Sequence, residues 1–399
     1  MHINTEQQKF AMALCEHRIR SNNKKGKFLT YMLETINWDK ISEILETHYE
    51  KGKSKEGRKS YPALVLFKML LLGIWYDLAD RDIEEECRDS LSFSKFIGIA
   101  LEDGLPDHTT LSRFRKSMMK SGCLDMVLDE VNHQLDALGI RINIGSIRIV
   151  DASITKTERK PKGKKVYELE EDREDRKTEE GHNEDEKKEV VDTREEKEEK
   201  KEKEEDKVIE EKDRKGKEIK LSDKYLRGVD TEAAWYKKGE EFGYGYKRHI
   251  MTDGLGLIIS VHTTPANQHD GKHLKDIVEK SKIKEGSMVI ADKGYSSEEN
   301  RRYLRDRGIK DKIMRKFGKN AEENNRIRLE NKILSKYRYV IERTFGSIKK
   351  WFNGGICRYV GLTKTHLQHV LEAIAYNLYR LPNLIVNNKE RRGSIMLEK

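Results

Sequence analysis

The sequence predicts an α/β protein in which a helical first third precedes a mixed β-sheet covered by helices. Two observations predict this fold class. Apolar residues recur at helical spacing through the first third, whereas after residue 145 short runs rich in Ile and Val alternate with helical stretches. We therefore expect a helical domain at residues 1–140, an α/β domain at residues 141–385 and a flexible tail at residues 386–399.

The charge of the chain indicates a polyanionic partner such as nucleic acid. The net charge is +9, but residues 156–220 hold 22 Lys and Arg against 26 Asp and Glu, so the rest of the chain carries +13. We treat residues 156–228 as a charged insertion within the α/β domain. It has too few apolar residues to form a core, which predicts either disorder or an exposed helix, for example at Glu195–Lys207.

The cysteines favour free thiols in a reducing cytosol. They are far apart and form no CxxC pair, which disfavours a zinc ribbon and a disulfide framework: Cys15, Cys87, Cys123 and Cys357. The N-terminus lacks the layout of a signal peptide, and the longest apolar run, Ala63–Tyr76, is too short to span a bilayer. We expect a cytoplasmic protein that does not enter a membrane.

The helices of the first third are predicted from their apolar spacing. The run that Pro62 opens is apolar on nearly every face, which is typical of a central core helix. The other predicted helices contain Phe28–Ile36, Ile41–Leu45, Asp80–Cys87, Leu91–Ile97 and Leu124–Leu138.

A short basic helix follows the chain break at Gly104 and Pro106. Asp107 or Thr109 can cap its start. A basic helix after a tight turn is similar to the second element of a helix-turn-helix, so its cations are candidates for contacts with DNA: Arg113, Arg115 and Lys116.

The α/β part is predicted as strand, hairpin, helix, strand, helix, strand, helix. Gly254 marks the turn of the hairpin, and Pro382 is expected to end the last helix. The predicted strands are Ile147–Asp151, Phe242–Ile250, Leu255–Thr264, Met288–Asp292 and Ile309–Met314. The predicted helices lie near His273–Val278, Ser296–Arg307, Glu322–Lys350 and Leu367–Leu381.

Three carboxylates stand out in this order of elements. Asp151 and Asp292 each end a predicted strand, and Glu342 lies beside the apolar stripe of the long helix. If the fold brings them together, they repel one another unless cations neutralise them, and two Mg²⁺ or Mn²⁺ ions at such a site can activate water for attack on a phosphodiester. Taken singly, an Asp after a strand is more simply a loop cap, so the prediction depends on the set.

The motifs around these acids resemble those of the DDE transposases of bacterial insertion sequences, in the insertion-sequence-four and insertion-sequence-five supergroup. The resemblance covers nearly the whole chain except the charged insertion. It rests on segments in the family's order: Pro106-Asp-His-Thr-Thr-Leu-Ser-Arg-Phe-Arg115, Ile149-Val-Asp151-Ala-Ser153, Phe242-Gly-Tyr-Gly-Tyr-Lys-Arg-His249, Thr263-Thr-Pro-Ala-Asn-Gln-His-Asp270, Ala291-Asp-Lys-Gly-Tyr295 and Arg338-Tyr-Val-Ile-Glu342 through Lys349.

The resemblance implies an RNase H-like catalytic domain and roles for named residues. It makes Asp151, Asp292 and Glu342 the catalytic metal ligands for two Mg²⁺ or Mn²⁺ ions. Arg338 and Lys349, which share a helix face with Glu342, are then expected to contact DNA phosphates. The tyrosine that the family carries three residues before Arg338 is replaced by Ser335.

Four further residues have less certain roles. By resemblance Lys247, His249 and Asp270 support the metal ligands or contact DNA, although His249 can simply be hydrogen-bonded between strands. Trp235 lies where some relatives stack an aromatic on a displaced base, but packing in the core is the favoured alternative.

The implied reaction is metal-dependent hydrolysis at transposon ends, followed by attack of the freed 3′-hydroxyl on target DNA. Its partners are the terminal inverted repeats and the target, and a homodimer is expected because two ends are cut together. Three alternatives stay open: another RNase H-like nuclease, a domesticated or inactive transposase acting as a DNA-binding protein, and a scaffold built on the charged insertion.

Overall fold

The computed structural model describes residues 24–49, 60–99, 103–140, 147–162, 167–169, 211–212, 218–221, 226–318 and 321–397. The chain divides into two compact units. Met1–Glu158 and Glu232–Lys399 form the first, and Arg159–Thr231 form the second.

The helices of the first unit are α1 (Lys24–Thr35), α2 (Trp38–His48), α3 (Ala63–Trp75), α4 (Asp80–Asp89), α5 (Leu91–Ile97), α6 (His108–Ser121), α7 (Cys123–Ala137), α8 (Leu274–Ser281), α9 (Glu298–Asp306), α10 (Ala321–Phe352) and α11 (Leu362–Leu397). Every predicted helix in the described ranges is therefore present. None of the helices within these ranges has the length and apolar character needed to cross a membrane.

The strands within the described residues are β1 (Ile147–Lys156), β2 (Tyr167–Leu169), β3 (Glu211–Lys212), β4 (Glu218–Leu221), β5 (Ala234–Lys238), β6 (Glu241–Asp253), β7 (Ile258–Pro265), β8 (Met288–Ala291) and β9 (Lys310–Ile313). The main sheet has the order β5-β6-β1-β8-β9, and β7 also pairs with β6. Its pairings are antiparallel on the β6 side of β1 and parallel on the β8 side. The prediction of a mixed sheet, including the β6–β7 hairpin, is confirmed.

Helix α3 is the central core helix that its sequence predicts. All of its residues except Leu64 are buried, and the indole N–H of Trp75 donates to the carbonyl oxygen of Ala375 on α11 at 3.0 Å. The N-terminal helices and the sheet share one large apolar core, to which Ile149 and Ile250 contribute from the sheet. A smaller core on the other side of the sheet contains Val150 and Met251.

Strand β1 is longer than predicted, so Asp151 does not end it. The antiparallel partner β6 continues to pair with β1 as far as Lys156, whereas the parallel partner β8 pairs only as far as Val150. One neighbouring strand therefore supports β1 beyond the acid after the other has ended. The prediction of a strand that ends on Asp151 is wrong for this reason.

Pro382 does not end the last helix, contrary to the prediction. Helix α11 begins at Leu362, passes through Pro382 and runs to Leu397, so residues 386–397, predicted as a tail, continue it. Proline removes one backbone donor from the helix. The flanking Leu381 and Leu384 are buried, and this packing holds the helix together across the break.

The described part of the charged insertion contains short strands. In the second unit β4 pairs antiparallel with both β2 and β3. These residues are neither disordered nor helical, because cross-strand hydrogen bonds satisfy their backbone groups. The exposed helix proposed at Glu195–Lys207 lies outside the described residues.

A buried ion pair joins the sheet to α11. The guanidinium of Arg248 on β6 binds the carboxylate of Glu372, and the two side chains are only 3% and 0% exposed. Arg248 also donates to the carbonyl oxygen of Gly354 at 3.1 Å, and Gln368 donates to the second oxygen of Glu372 at 2.8 Å. Each charge thus has several partners, and removing one leaves the other buried and unpaired.

We predict that Glu372→Ala lowers the free energy of unfolding by about 3–5 kcal/mol, since it strands the Arg248 charge in the core. Urea denaturation of the purified protein measures this. Glu330→Ala, at an exposed position of α10, is the matched control and should change stability little. Equal effects of the two substitutions would contradict the role assigned to the ion pair.

Lys68 is a buried cation within α3. Its side chain is only 6% exposed, and its ammonium lies 4.7 Å from the ring centre of Trp38. Burial lowers the pKa of Lys68 to about 8, although Asp39 opposes this. The folded protein therefore holds this proton less tightly than the unfolded chain.

We predict that Lys68→Met raises the free energy of unfolding at pH 7 by about 1–3 kcal/mol, because no charge is then buried. Between pH 8 and 10.5 the folded wild type releases its proton before the unfolded chain does, so the wild type gains stability as pH rises. The stability difference between Lys68→Met and the wild type therefore narrows. Urea denaturation midpoints of the two proteins at about pH 7 and about pH 9.5 measure this stability difference. Lys40→Met, at an exposed position, is the control. A stability difference that widens as pH rises would contradict the burial of a charged Lys68.

Candidate active site

Asp151 and Asp292 lie side by side because of the parallel pairing of β1 and β8. The last paired residues of these strands are Val150 and Ala291. The next residue of each strand is the acid, so the two carboxylates follow directly from the register. Asp292 then begins the 3₁₀ turn Lys293–Tyr295.

Helix α10 brings the third carboxylate to the same place. Ile341, Phe345 and Ile348 bury its apolar stripe in the large core and so fix how the helix lies against β1 and β8. Arg338 and Glu342, one turn apart, are thereby directed toward the two aspartates.

A single guanidinium binds all three acids. The Nη2 atom of Arg338 lies 2.9 Å from Oδ2 of Asp151 and 3.5 Å from Oε1 of Glu342, and its Nη1 atom lies 3.2 Å from Oδ1 of Asp292. The side chain of Arg338 is only 17% exposed. The three acids predicted from sequence therefore gather in one site, and Arg338 supplies its positive charge.

The electrostatics of the site match this arrangement. Burial raises the pKa of Asp151, and the charge of Asp292 adds to the effect, while Arg338 and the backbone N–H of Ala152 oppose it. Burial lowers the pKa of Arg338, but the acids outweigh burial and raise it overall. Burial and the nearby carboxylates raise the pKa of Tyr295, so its phenol stays protonated beside the acids.

The donor set fits divalent metal ions of the Mg²⁺ class. Such ions take carboxylate oxygens, and the site already holds its carboxylates around a cation. The side-chain exposure rises from 16% at Asp151 to 40% at Asp292 and 55% at Glu342, so one edge of the site is open. The carboxylate oxygens are spread around the Arg338 guanidinium.

Lys247 forms a neutralised pair with Asp270. Its ammonium is 2.8 Å from Oδ1 of Asp270 and donates to the carbonyl oxygen of Gln268 at 2.6 Å. The loop that carries Asp270 packs tightly against the turn after Asp292, since a Cβ atom added to Gly271 would lie 2.8 Å from the carbonyl oxygen of Gly294. The loop and the acidic site are therefore held together.

His249 is buried between strands. It is fully inaccessible, and its Nε2 atom lies 3.0 Å from Oγ1 of Thr264 on β7. This is the alternative that the sequence left open for His249, hydrogen bonding between strands. The imidazole does not reach the surface in this conformation.

Lys349 lies at an exposed position near several other cations. Its partial burial, together with the charges of Lys238, Arg248 and Lys156, lowers its pKa, while Glu241 opposes this. Concentrated positive charge of this kind suits a polyanion.

Ser335 takes the place of the family's tyrosine. Its hydroxyl donates to the carbonyl oxygen of Asn331 in its own helix at 2.8 Å. Because serine has no ring, this position offers no aromatic surface to the site. Tyr337 and Tyr339 nearby are exposed on α10.

The basic helix α6 presents only part of its predicted cationic face. Asp107 caps it, accepting from the backbone N–H of Thr110 at 2.7 Å. Arg113 and Lys116 are exposed. Arg115 is only 8% exposed, because it is paired with Asp80, so in this conformation its charge is used inside the protein.

Trp235 is not in the core, and the favoured prediction for it is wrong. Its side chain is 48% exposed, with its ring centre 5.2 Å from that of Tyr244. The strand β5 lies at the edge of the sheet, and Trp235 alternates along it with the buried Tyr236, so its ring points to the opposite, exposed face.

Sequence reasoning missed that Arg338 serves the carboxylates. Its i,i+4 spacing from Glu342 was the available signal, since residues four apart meet on a helix. Its contacts with Asp151 and Asp292 required the register of the sheet.

We predict that Arg338→Ala increases the response of the protein to Mg²⁺. Without the guanidinium the acids repel one another, so the variant melts at a lower temperature in chelator and regains more stability than the wild type on addition of Mg²⁺. Thermal denaturation with and without Mg²⁺ measures both. Arg343→Ala, at an exposed position of the same helix, should respond like the wild type. A smaller Mg²⁺ response in Arg338→Ala than in the wild type would contradict the proposed charge balance.

The chain matches two family models and a curated protein. The model described as "Transposase DDE domain" matches residues 143–378, and the one described as "Transposase domain" matches residues 17–117. The chain is 30% identical over 271 residues to the transposase for insertion sequence element IS1106 of Neisseria meningitidis serogroup B, covering 68% of this chain and 77% of that protein. No solved structure matches.

Proposed function

The chain belongs to the DDE transposases of insertion sequences, and from this premise we propose that Asp151, Asp292 and Glu342 are its catalytic residues. The observation that carries the proposal is their shared contact with one guanidinium. Three acids far apart along the chain repel one another when they are gathered, so their collection at the end of a parallel strand pair supports a functional site.

We propose that these three carboxylates hold two Mg²⁺ or Mn²⁺ ions, which when bound supply the charge that activates water and stabilises the leaving oxygen. Asp151, as the most buried acid, fixes the floor of the site, and the more exposed Glu342 lies at the side from which DNA enters. Arg338 holds the acids together in the protein alone. With ions held by the three acids, the Arg338 guanidinium would be available to a phosphate of the substrate.

The proposed reaction is hydrolysis at transposon ends, followed by strand transfer into target DNA. Lys247 and Lys349 are proposed to bind the DNA backbone near the acids. His249, which is buried on the same strand as Lys247, is proposed to hold that strand in place from within the sheet. Arg113 and Lys116 of α6 are proposed to contact the terminal inverted repeats. Arg115 is buried, and we propose that its ion pair with Asp80 holds α6 against α4.

At the level of architecture we propose an RNase H-like catalytic domain and a DNA-binding N-terminal domain at residues 1–140. The parallel and antiparallel neighbours of β1 support the first proposal. Two ends are cut together in the proposed reaction, so we further propose a homodimer. A cytoplasmic location remains a prediction from the cysteines.

A DNA-binding protein derived from an inactive transposase is the second candidate. The burial of Arg115 weakens a purely DNA-binding role for α6, and the retention of all three acids favours an enzyme. Another RNase H-like nuclease would cleave DNA without preference for terminal inverted repeats.

We predict that Asp292→Asn reduces cleavage of transposon-end DNA at least a hundredfold while DNA binding is retained, because the amide cannot replace a charged metal ligand. Strand cleavage in Mg²⁺ and gel-shift binding measure the two properties. Asp306→Asn, at the exposed last residue of α9, is the matched control and should cleave like the wild type.

Full cleavage by Asp292→Asn would refute the catalytic assignment. Cleavage that ignores the terminal repeats would favour the general nuclease. Repeat-specific binding without cleavage by the wild type would favour the DNA-binding protein. The binding itself should weaken steeply as salt rises.

A further inference from the structure

A second cluster of potential metal ligands lies between β7 and α8. His262, His273 and Asp276 each direct one ligand atom to a common place, and these atoms all lie within 4.8 Å of one another. The Oδ2 atom of Asp276 is 2.9 Å from Nδ1 of His273 and 3.5 Å from Nε2 of His262. Two imidazoles therefore share one carboxylate oxygen.

We propose that His262, His273 and Asp276 form a binding site for a divalent transition-metal ion of the Zn²⁺ class. Two imidazole nitrogens and one carboxylate oxygen suit Zn²⁺ and disfavour Mg²⁺, which prefers an all-oxygen set. Three protein ligands leave one position for water or for a further ligand.

The spacing of the ligand atoms fits this ion with little movement. Metal–ligand bonds of about 2.0–2.1 Å in a tetrahedron put ligand atoms roughly 3.3 Å apart. The two separations from the oxygen of Asp276, 2.9 and 3.5 Å, lie on either side of that value. The contacts with the Asp276 carboxylate already hold both rings with these nitrogens toward the common place.

Solvent has access to the cluster. The side chains of His262 and His273 are 25% and 18% exposed, and that of Asp276 is 46% exposed, which leaves a path from solvent.

A third imidazole stands beside the cluster. The ring centre of His249 is 5.1 Å from that of His273 and 6.0 Å from that of His262. The buried Nδ1 atom of His249 and the buried Nε2 atom of His273 have no hydrogen-bond partner among the described residues. Unsatisfied buried nitrogens are costly, so these two atoms mark a polar pocket beside the proposed ligands.

This site is separate from the acidic site. Along β1 and β6, Asp151 pairs with Ile250 and Ala152 pairs with His249, and successive residues of a strand point to opposite faces. The histidines therefore lie on the face of the sheet opposite Asp151. The chain between β7 and α8 carries Asp270, the partner of Lys247, so a metal at the new site would stiffen the loop that faces the acids.

The test is a Zn²⁺ titration against a chromophoric chelator, using untagged full-length protein in excess Mg²⁺ so that the acidic site is occupied. The wild type should bind one tight Zn²⁺ per chain. His262→Ala and Asp276→Asn should each weaken it at least about tenfold. His133→Ala, an exposed histidine of α7, should bind like the wild type.

Thermal denaturation provides the second measurement. Zn²⁺ should raise the melting temperature of the wild type and of His133→Ala, but not that of Asp276→Asn. If His262→Ala fails to fold, Asp276→Asn alone tests whether the cluster binds Zn²⁺. This variant is expected to fold, because it keeps the side-chain shape at a half-exposed position. Absence of tight Zn²⁺ binding, or binding that survives Asp276→Asn unchanged, overturns the proposal. Neither outcome depends on the transposase assignment, because no DNA is present.

Discussion

The contact of Arg338 with three carboxylates is the constraint on which the rest of the site depends. Like charges gathered in a partly buried space need a cation, and the chain supplies one of its own. The guanidinium holds the three acids in one place. Under the proposed function, Arg338 would turn to a substrate phosphate once bound ions neutralise the acids.

The fold positions this contact through two independent supports. The parallel register of β1 and β8 sets two of the acids side by side. The apolar stripe of α10 sets Arg338 and Glu342 above them by packing into the core that also buries α3. Buried polar contacts stiffen that core. Asn377 on α11, for example, accepts from the backbone N–H of Ile258 and donates to its carbonyl oxygen, at 2.9 and 2.8 Å. A site that must hold like charges together benefits from so rigid a base.

The sequence predicted the helices and strands of the fold well, and the exceptions have physical causes. Periodicity identifies helices and strands because it reports burial, but it cannot tell which neighbouring strand continues, so the end of β1 was misplaced. The missing backbone N–H of Pro382 predicts a helix end at this residue, but tertiary packing continues the helix through it. The partners of Arg115 and the edge position of Trp235 depend on contacts distant in sequence, which composition and spacing do not encode.

The most direct test of the central claim is a crystal structure with Mn²⁺ and transposon-end DNA, in which anomalous scattering locates the ions. The account predicts two Mn²⁺ ions about 3.5–4 Å apart among Asp151, Asp292 and Glu342, with Arg338 turned to a DNA phosphate. Mn²⁺ bound away from these acids, or Arg338 still lying between them while DNA is engaged, would contradict it.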